Sequence, residues 1–195
     1  SIEYSVSQSL MAPAVVSGDG HLNLSARWLG QAEVSELVHC LATDASPTVT
    51  SINCTRNKFG EEGLAVLLKA IEGTPVRSLC GLVEGQTIAD FSGQNLKPFD
   101  MKILAAEFES PGFITALTSI NCLANKFGDE GLATLLTAIE GTSVRSLCGL
   151  IEGQMAADFS GQNLGPLDYK IIAAEFEFHG FIAVVEELTV DSTGN

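Results

Sequence analysis

Apolar positions along this chain alternate between two spacings. In Leu117-Thr118-Ser119-Ile120-Asn121-Cys122 they finish in the period-two alternation of a short, half-buried strand. Asn125 then stands ahead of a turn, where its side chain can satisfy buried backbone groups. Beyond Gly128 the spacing lengthens: Leu132, Leu135, Leu136 and Ile139 recur at i, i+3, i+4 and i+7, one face of a helix predicted over 129–141. Asp129 and Glu130 suit the positive pole at its start, and Gly141 suits a C-cap. The apolar stripe of such a helix packs against the strands.

The whole pattern returns. Residues 48–114 reappear almost verbatim at 116–182, so that Ser51-Ile52-Asn53-Cys54 comes back as Ser119-Ile120-Asn121-Cys122 at an offset of 119 − 51 = 68 residues. Repetition at a fixed offset implies units that stack and bury one continuous core, which no unit buries alone. Each period holds a second kind of unit. Ala157-Asp158-Phe159-Ser160-Gly161-Gln162-Asn163-Leu164-Gly165 carries Gln162 at the Asn position, then Pro166 and a helix through Ile171, Ile172 and Phe176; Ala89 to Phe108 is its earlier copy. Leu22 to Gly30 is a divergent relative, followed by a helix through Val34, Leu37, Val38 and Leu41.

The divisions are 21–47, 48–75, 76–115, 116–143 and 144–182, with 1–20 a partial or capping unit and 183–195 a truncated one. In 1–20, Ile2, Tyr4 and Val6 alternate like a strand and Ser17-Gly18-Asp19-Gly20 reads as a turn. Val76-Arg77-Ser78-Leu79-Cys80-Gly81-Leu82, repeated at 144–150, leaves no room for a helix before the next unit and reads as a strand continuing the sheet. Either Leu79 and Gly81 or Cys80 and Leu82 point inward, because one residue of register exchanges the two sets. Leu188-Thr189-Val190-Asp191 aligns with Ile120-Asn121-Cys122-Leu123, so the pattern stops mid-unit. A solenoid shields its last core layer, and a longer chain or a neighbouring molecule is expected to cover this one.

Leu117 to Phe127 fits L-x-x-L-x-L-x-x-N-x-L, with Ile120, Cys122 and Phe127 at apolar positions. The segment resembles the leucine-rich repeat family, in particular the subtype with long helical repeats found in ribonuclease inhibitor and the NOD-like receptors. The resemblance implies an α/β fold: one right-handed leucine-rich-repeat solenoid segment over 1–195, with short parallel strands on the concave side and helices on the convex side. It also implies an Asn side chain that bonds backbone groups between turns. The five ladder positions hold Arg27, Asn57, Gln94, Asn125 and Gln162, so Asn itself stands at two of them. The Val76 to Leu82 segment departs from the family pattern.

Composition narrows the function. With 195 residues, 46% hydrophobic and 17% charged, the chain suits a folded domain and not a disordered one. Its apolar runs fall well short of the roughly 20 residues that span a bilayer, so no transmembrane segment is expected. Ser1 stands where an initiator Met would, and no basic stretch leads into an apolar one, so no signal peptide is visible. Ten Lys and Arg against 24 Asp and Glu give a formal charge of −14, which repels phosphate backbones. Nucleic acid is disfavoured as a partner, and a basic protein suits this surface. Cys40, Cys54, Cys80, Cys122 and Cys148 are odd in number and lack a C-x-x-C pair. Free thiols in a reducing, cytoplasmic compartment follow. The sequons at Asn23 and Asn53 lie on predicted strands and read as chance.

No catalytic constellation is expected. His21, His39 and His179 have no Cys, Asp or Ser at triad or metal-ligand spacing. Asp90-Phe91-Ser92-Gly93 and its copy Asp158-Phe159-Ser160-Gly161 read as a strand entering a turn. Asp191 to Asn195 lacks the acids of a calcium loop, the glycines fall at repeat turns without a phosphate-cradling motif, and Phe59, Phe91, Phe127 and Phe159 recur as core. No metal or cofactor is expected. What remains is the row of residues alternating with the buried positions: Asn23, Ser25, Ser51, Asn53, Thr55, Asp90, Ser92, Ser119, Asn121, Leu123, Asp158 and Ser160. Mostly short and polar, they admit a protein partner closely, although they lack the Trp, Tyr and Arg that usually anchor interfaces. The helical flank and Trp28 are the other candidate contacts. The expected function is a non-enzymatic protein–protein interaction or scaffolding module. Two alternatives stand beside it: a structural subunit buried in a large assembly, and a regulator of another enzyme acting through Arg27, Arg56, Arg77 or Arg145.

Overall fold

A computed structural model of the chain describes residues 2–4, 14–16, 20–43, 49–109, 116–177 and 180–191. Short strands alternate with helices in two compact units, one of Ser1–Glu84 with Phe99–Ile114 and the other of Gly85–Pro98 with Thr115–Asn195.

The first unit carries strands β1 (Ile2–Tyr4), β2 (Ala14–Val16), β3 (His21–Asn23) and β4 (Ser51–Asn53) in one sheet, in that order. β1, β2 and β3 pair antiparallel, whereas β3 and β4 are parallel, with Leu22 opposite Ile52. The N-terminal stretch therefore enters as an antiparallel hairpin; Val6 and Ser17 to Asp19 lie outside the described residues. Helices α1 (Gln31–Thr43) and α2 (Gly60–Ile71) pack side by side, and α3 (Pro98–Glu109) belongs to this unit from Phe99 onward. Leu24, Leu29, Leu37, Ile52, Cys54, Leu67, Leu79, Met101 and Leu104 are buried here, and Phe59 meets Phe99 edge to face at 5.2 Å.

The second unit repeats the plan. β5 (Ile88–Asp90) pairs in parallel with β6 (Ser119–Asn121), and β7 (Ala156–Asp158) pairs in parallel with β8 (Glu187–Thr189). Helices α4 (Gly128–Ile139) and α5 (Pro166–Glu177) pack on one another. Phe91, Leu96, Leu117, Ile120, Cys122, Phe127, Leu135, Leu147 and Ile171 are buried. The four repeating phenylalanines are all core residues. α3 and α5 start on Pro98 and Pro166, where a missing N–H costs nothing.

Three expectations need correction. Val76 to Leu82 and its copy at 144–150 form no regular strand; isolated bridges join Cys80 to Asn53 and Cys148 to Asn121. The segment still covers β4, because Ile52 N–H donates to Ser78 O and Cys54 N–H to Leu79 O, both at 2.9 Å. Neither inward set is chosen alone: Leu79, Cys80 and Leu82 are all buried, and Gly81, at φ 84°, breaks the alternation. A Cβ at Gly81 would lie 3.0 Å from Asn53 Cβ, and one at Gly149 would lie 3.1 Å from Asn121 Cβ, so only glycine fits here.

The second correction concerns Gly141, which is no simple cap. Glu140 (φ −55°, ψ 128°) and Gly141 (φ 75°) form a type II turn closed by Thr142 N–H on Ile139 O, and Glu72-Gly73 does the same after α2. The third concerns Phe176, which the sequence groups with the apolar Ile171 and Ile172 of its helix. It is exposed, while Glu175 beside it is fully buried.

Candidate functional site

Five side chains of the predicted row, Asn23, Asn53, Asp90, Asn121 and Asp158, are used first by the backbone two residues on. In the first unit Asn23 Oδ1 accepts from Ser25 N–H and Oγ, and Asn53 Oδ1 accepts from Thr55 N–H and Oγ1. In the second unit Asp90, Asn121 and Asp158 accept from the N–H of Ser92, Leu123 and Ser160. These are Asx turns, in which an Asn or Asp oxygen stands in for a backbone carbonyl and ends the strand. The Ser160 hydroxyl and N–H hold the Asp158 carboxyl below the usual carboxylate range.

Four members of the row do not reach solvent. Ser51, Thr55, Ser119 and Leu123 are buried. Ser51 Oγ lies 3.2 Å from His21 Nδ1, and Ser119 Oγ is buried without a partner among the described residues. The accessible candidates are Asn23, Ser25 and Asn53 in the first unit and Asp90, Ser92, Asn121, Asp158 and Ser160 in the second. Trp28 is 74% exposed, with Lys58 Nζ 4.2 Å from its ring centroid. Arg77 and Arg145 donate to carbonyls of their own turns, Thr74 O and Val76 O, and Thr142 O and Val144 O. Their guanidinium groups hold local structure.

Behind the row, Asn57 and Asn125 tie successive chain turns together. Asn57 Nδ2 donates to Leu24 O (2.8 Å) and Cys54 O (2.9 Å), and its Oδ1 accepts from Arg27 N–H and Leu29 N–H at 3.0 Å. Asn125 Nδ2 donates to Phe91 O and Cys122 O, and Oδ1 accepts from Leu96 N–H. Gln94 and Gln162 occupy the equivalent positions but, among the described residues, bond Asp90 O and Asp158 O within their own turns. The longer side chain cannot lie flat beneath the backbone as Asn does. Asn57→Ala is expected to cost about 3 kcal/mol, because it strands four buried backbone groups. Urea unfolding at constant pH checks this.

The sequence reading missed a set of buried carboxylates. Glu107 Oε1 accepts from Leu79 N–H, Cys80 N–H and Ser78 Oγ, and Glu175 Oε1 accepts from Leu147 N–H, Cys148 N–H and Ser146 Oγ. Each carboxylate pins the irregular segment that replaces a strand. Burial drives the Glu107 carboxyl up to about 7 despite these donors, and burial raises Glu175 likewise. Asp100 and Asp168 accept from the N–H of Arg56 and Ala124, both residues of positive φ. A signal was present: Glu175 falls at i+4 from Ile171 and i+3 from Ile172, on the apolar face.

The thiols of Cys54, Cys80, Cys122 and Cys148 are buried, and desolvation raises all four, so they sit in the core as small apolar groups. The second unit has an open cleft of about 380 Å³ whose charged lining is Glu140, Arg145 and Glu177, with no nucleophile beside a base. Among the described residues no helix is long and apolar enough to cross a membrane. The molecule is an α/β protein of short parallel strand pairs alternating with helices. Compared with protein families and with curated proteins, the chain matches none.

Proposed function

We propose that this protein is a non-enzymatic protein–protein interaction module of the leucine-rich-repeat type, a right-handed solenoid acting as a scaffold or recognition surface in a reducing, cytoplasmic setting. The observation that carries the reading is the pair Asn57 and Asn125. Each spans two chain turns with the bonding that the resemblance implies. The Asx turns above them hold Asn23, Asn53, Asp90, Asn121 and Asp158 in fixed orientations, which lowers the entropy cost of docking on what would be the concave face. With a net charge of −14, the partner that fits is a basic protein.

Affinity capture with cross-linking mass spectrometry tests this. Asp90→Asn with Asp158→Asn removes two exposed charges, keeps the oxygens that close the Asx turns, and leaves stability within about 0.5 kcal/mol. The double variant is expected to lose a partner that the parent chain captures. Retention of that partner, with cross-links confined to the helices, contradicts the assigned face.

A further inference from the structure

Trp28 is the only tryptophan of the chain, and at 74% it is more exposed than any other large apolar side chain among the described residues. It also sits at φ 63°, in the left-handed region, where a bulky side chain crowds its own backbone. The backbone on either side is fixed, because Arg27 N–H and Leu29 N–H both donate to Asn57 Oδ1. Related units meet the same demand with less strain. In Ala89 to Lys97 and Ala157 to Gly165 the position equivalent to Trp28 holds Asn95 (φ 61°) and Asn163 (φ 53°), and Asn tolerates this conformation far better. Folding thus favours Asn at this position and water favours a polar group, so neither explains an exposed indole. A strained residue held by its surroundings points to function.

Three cations share the surface with the ring. Lys58 Nζ lies 4.2 Å from the ring centroid, an attraction that steadies the indole. Arg27 precedes Trp28, and Arg56 lies on the neighbouring turn, which is joined to this one by Ala26 N–H on Thr55 O and Lys58 N–H on Leu29 O. All three cations are exposed. Among the described residues none of them pairs with a carboxylate, whereas Lys102 is held by Glu61 and Lys170 by Asp129.

We propose that Arg27, Trp28, Arg56 and Lys58 form a docking site for an acidic segment of a partner protein, whose carboxylates pair with the cations while an apolar side chain lies on the exposed indole. The site uses no side chain of the Asx-turn row and takes the opposite charge, so it goes beyond the interaction-module reading.

Charge selects the occupant. Acids outnumber Lys and Arg by 24 to 10 in the chain, yet neither Ser25 to Gly30 nor Thr55 to Gly60 contains one. The positive island is also short: Glu33 follows the first turn, and Glu61 and Glu62 follow the second. A nucleic-acid strand is negative along its whole length and would run from the island onto those glutamates. A short acidic segment ends with it. Trp and Arg are the residue types that most often anchor interfaces, and a guanidinium group matches the two oxygens of a carboxylate.

A random peptide library displayed on phage, selected on the full chain under reducing conditions, supplies the probes. Trp28 emission reads them, because no other tryptophan contributes. Enriched peptides are expected to carry Asp or Glu beside an apolar residue, to shift the emission to the blue, and to shield the ring from acrylamide, all saturably. Trp28→Asn is expected to leave the melting temperature unchanged or higher and to weaken a labelled peptide, read by anisotropy, about tenfold or more. Arg27→Glu with Arg56→Glu is expected to do as much to the peptide. No enrichment, enriched peptides without acids, or peptides indifferent to both variants overturn the proposal. A lower melting temperature in Trp28→Asn also overturns it, because the ring then serves the fold. So does a short thymidine oligonucleotide that quenches Trp28 and displaces the peptide, which gives the site to nucleic acid. A blue shift that grows with protein concentration alone gives it to a second copy, with the same consequence. The interaction-module reading is tested separately by the Asp90 and Asp158 variant, which leaves these four side chains in place.

Discussion

Replacing Glu107 with Ala lowers stability by about 4 kcal/mol at pH 5, and the melting temperature drops by about 10 °C. Leu79 N–H and Cys80 N–H then lose the carboxyl oxygen they share, and the segment covering β4 has no strand ladder to fall back on. A cavity adds to the cost. Glu107→Gln separates hydrogen bonding from charge: its oxygen still accepts both N–H groups, and its NH2 replaces Oε2, which is buried without a partner among the described residues. The amide variant is expected to lose only about 1 kcal/mol at pH 5. The two variants also differ from the parent in pH dependence. The folded carboxyl titrates at about 7 and the ordinary value is 4.5, so the folded state holds a proton that the unfolded chain releases. The resulting stabilisation is complete below pH 4.5 and is lost as pH rises to 7, about 3 kcal/mol in all. Glu175 acts in the same direction. Urea midpoints at pH 5 and pH 8 should converge in Glu107→Gln by the share that Glu107 supplies. An unchanged pH difference would show that the carboxyl is not buried.

Ile120→Asp is expected to unfold the second unit, and Leu188→Asp to leave it folded, although the two positions are copies of one another. Ile120 has no exposed surface, with Cys122, Phe127, Leu135 and Leu147 among the other buried side chains of its unit. A carboxylate there either stays charged without a partner or takes up a proton, and the cost is about 4 kcal/mol or more. Leu188 is 40% exposed, so a carboxylate introduced at that position keeps its water and the change stays near ~1 kcal/mol. Thermal melts of both variants give the comparison. Equal melting temperatures would mean that β6 is not a core strand.

The period-two and period-3.6 patterns located β6 and α4 within a residue or two, and the helices read through Val34 to Leu41 and through Ile171 to Phe176 fall in α1 and α5, because burial on one face leaves a spacing that survives in sequence. Asn57 and Asn125 were legible for a related reason: a side chain that must lie beneath two chain turns has one suitable length, and Gln94 and Gln162 show what happens one methylene further out. Less of the candidate surface was legible. Alternation separates inward from outward only on a strand with one free face, and Ser51 and Ser119 lie beneath the covering segment, on strands that are three residues long. The buried glutamates were hidden by the habit of reading acids as solvated. Glu107 is held by backbone N–H groups that carry no sequence signature of their own.

In each unit one strand, β4 or β6, is buried beneath the Ser-Leu-Cys-Gly-Leu segment. Amide hydrogen exchange of the full chain tests it residue by residue. The Ile52, Cys54, Ile120 and Cys122 amides, which donate to that segment, are expected to exchange at the rate of global unfolding, and those of Leu188 and Val190 orders of magnitude faster. Ile120 and Cys122 exchanging as fast as Leu188 and Val190 would contradict the account.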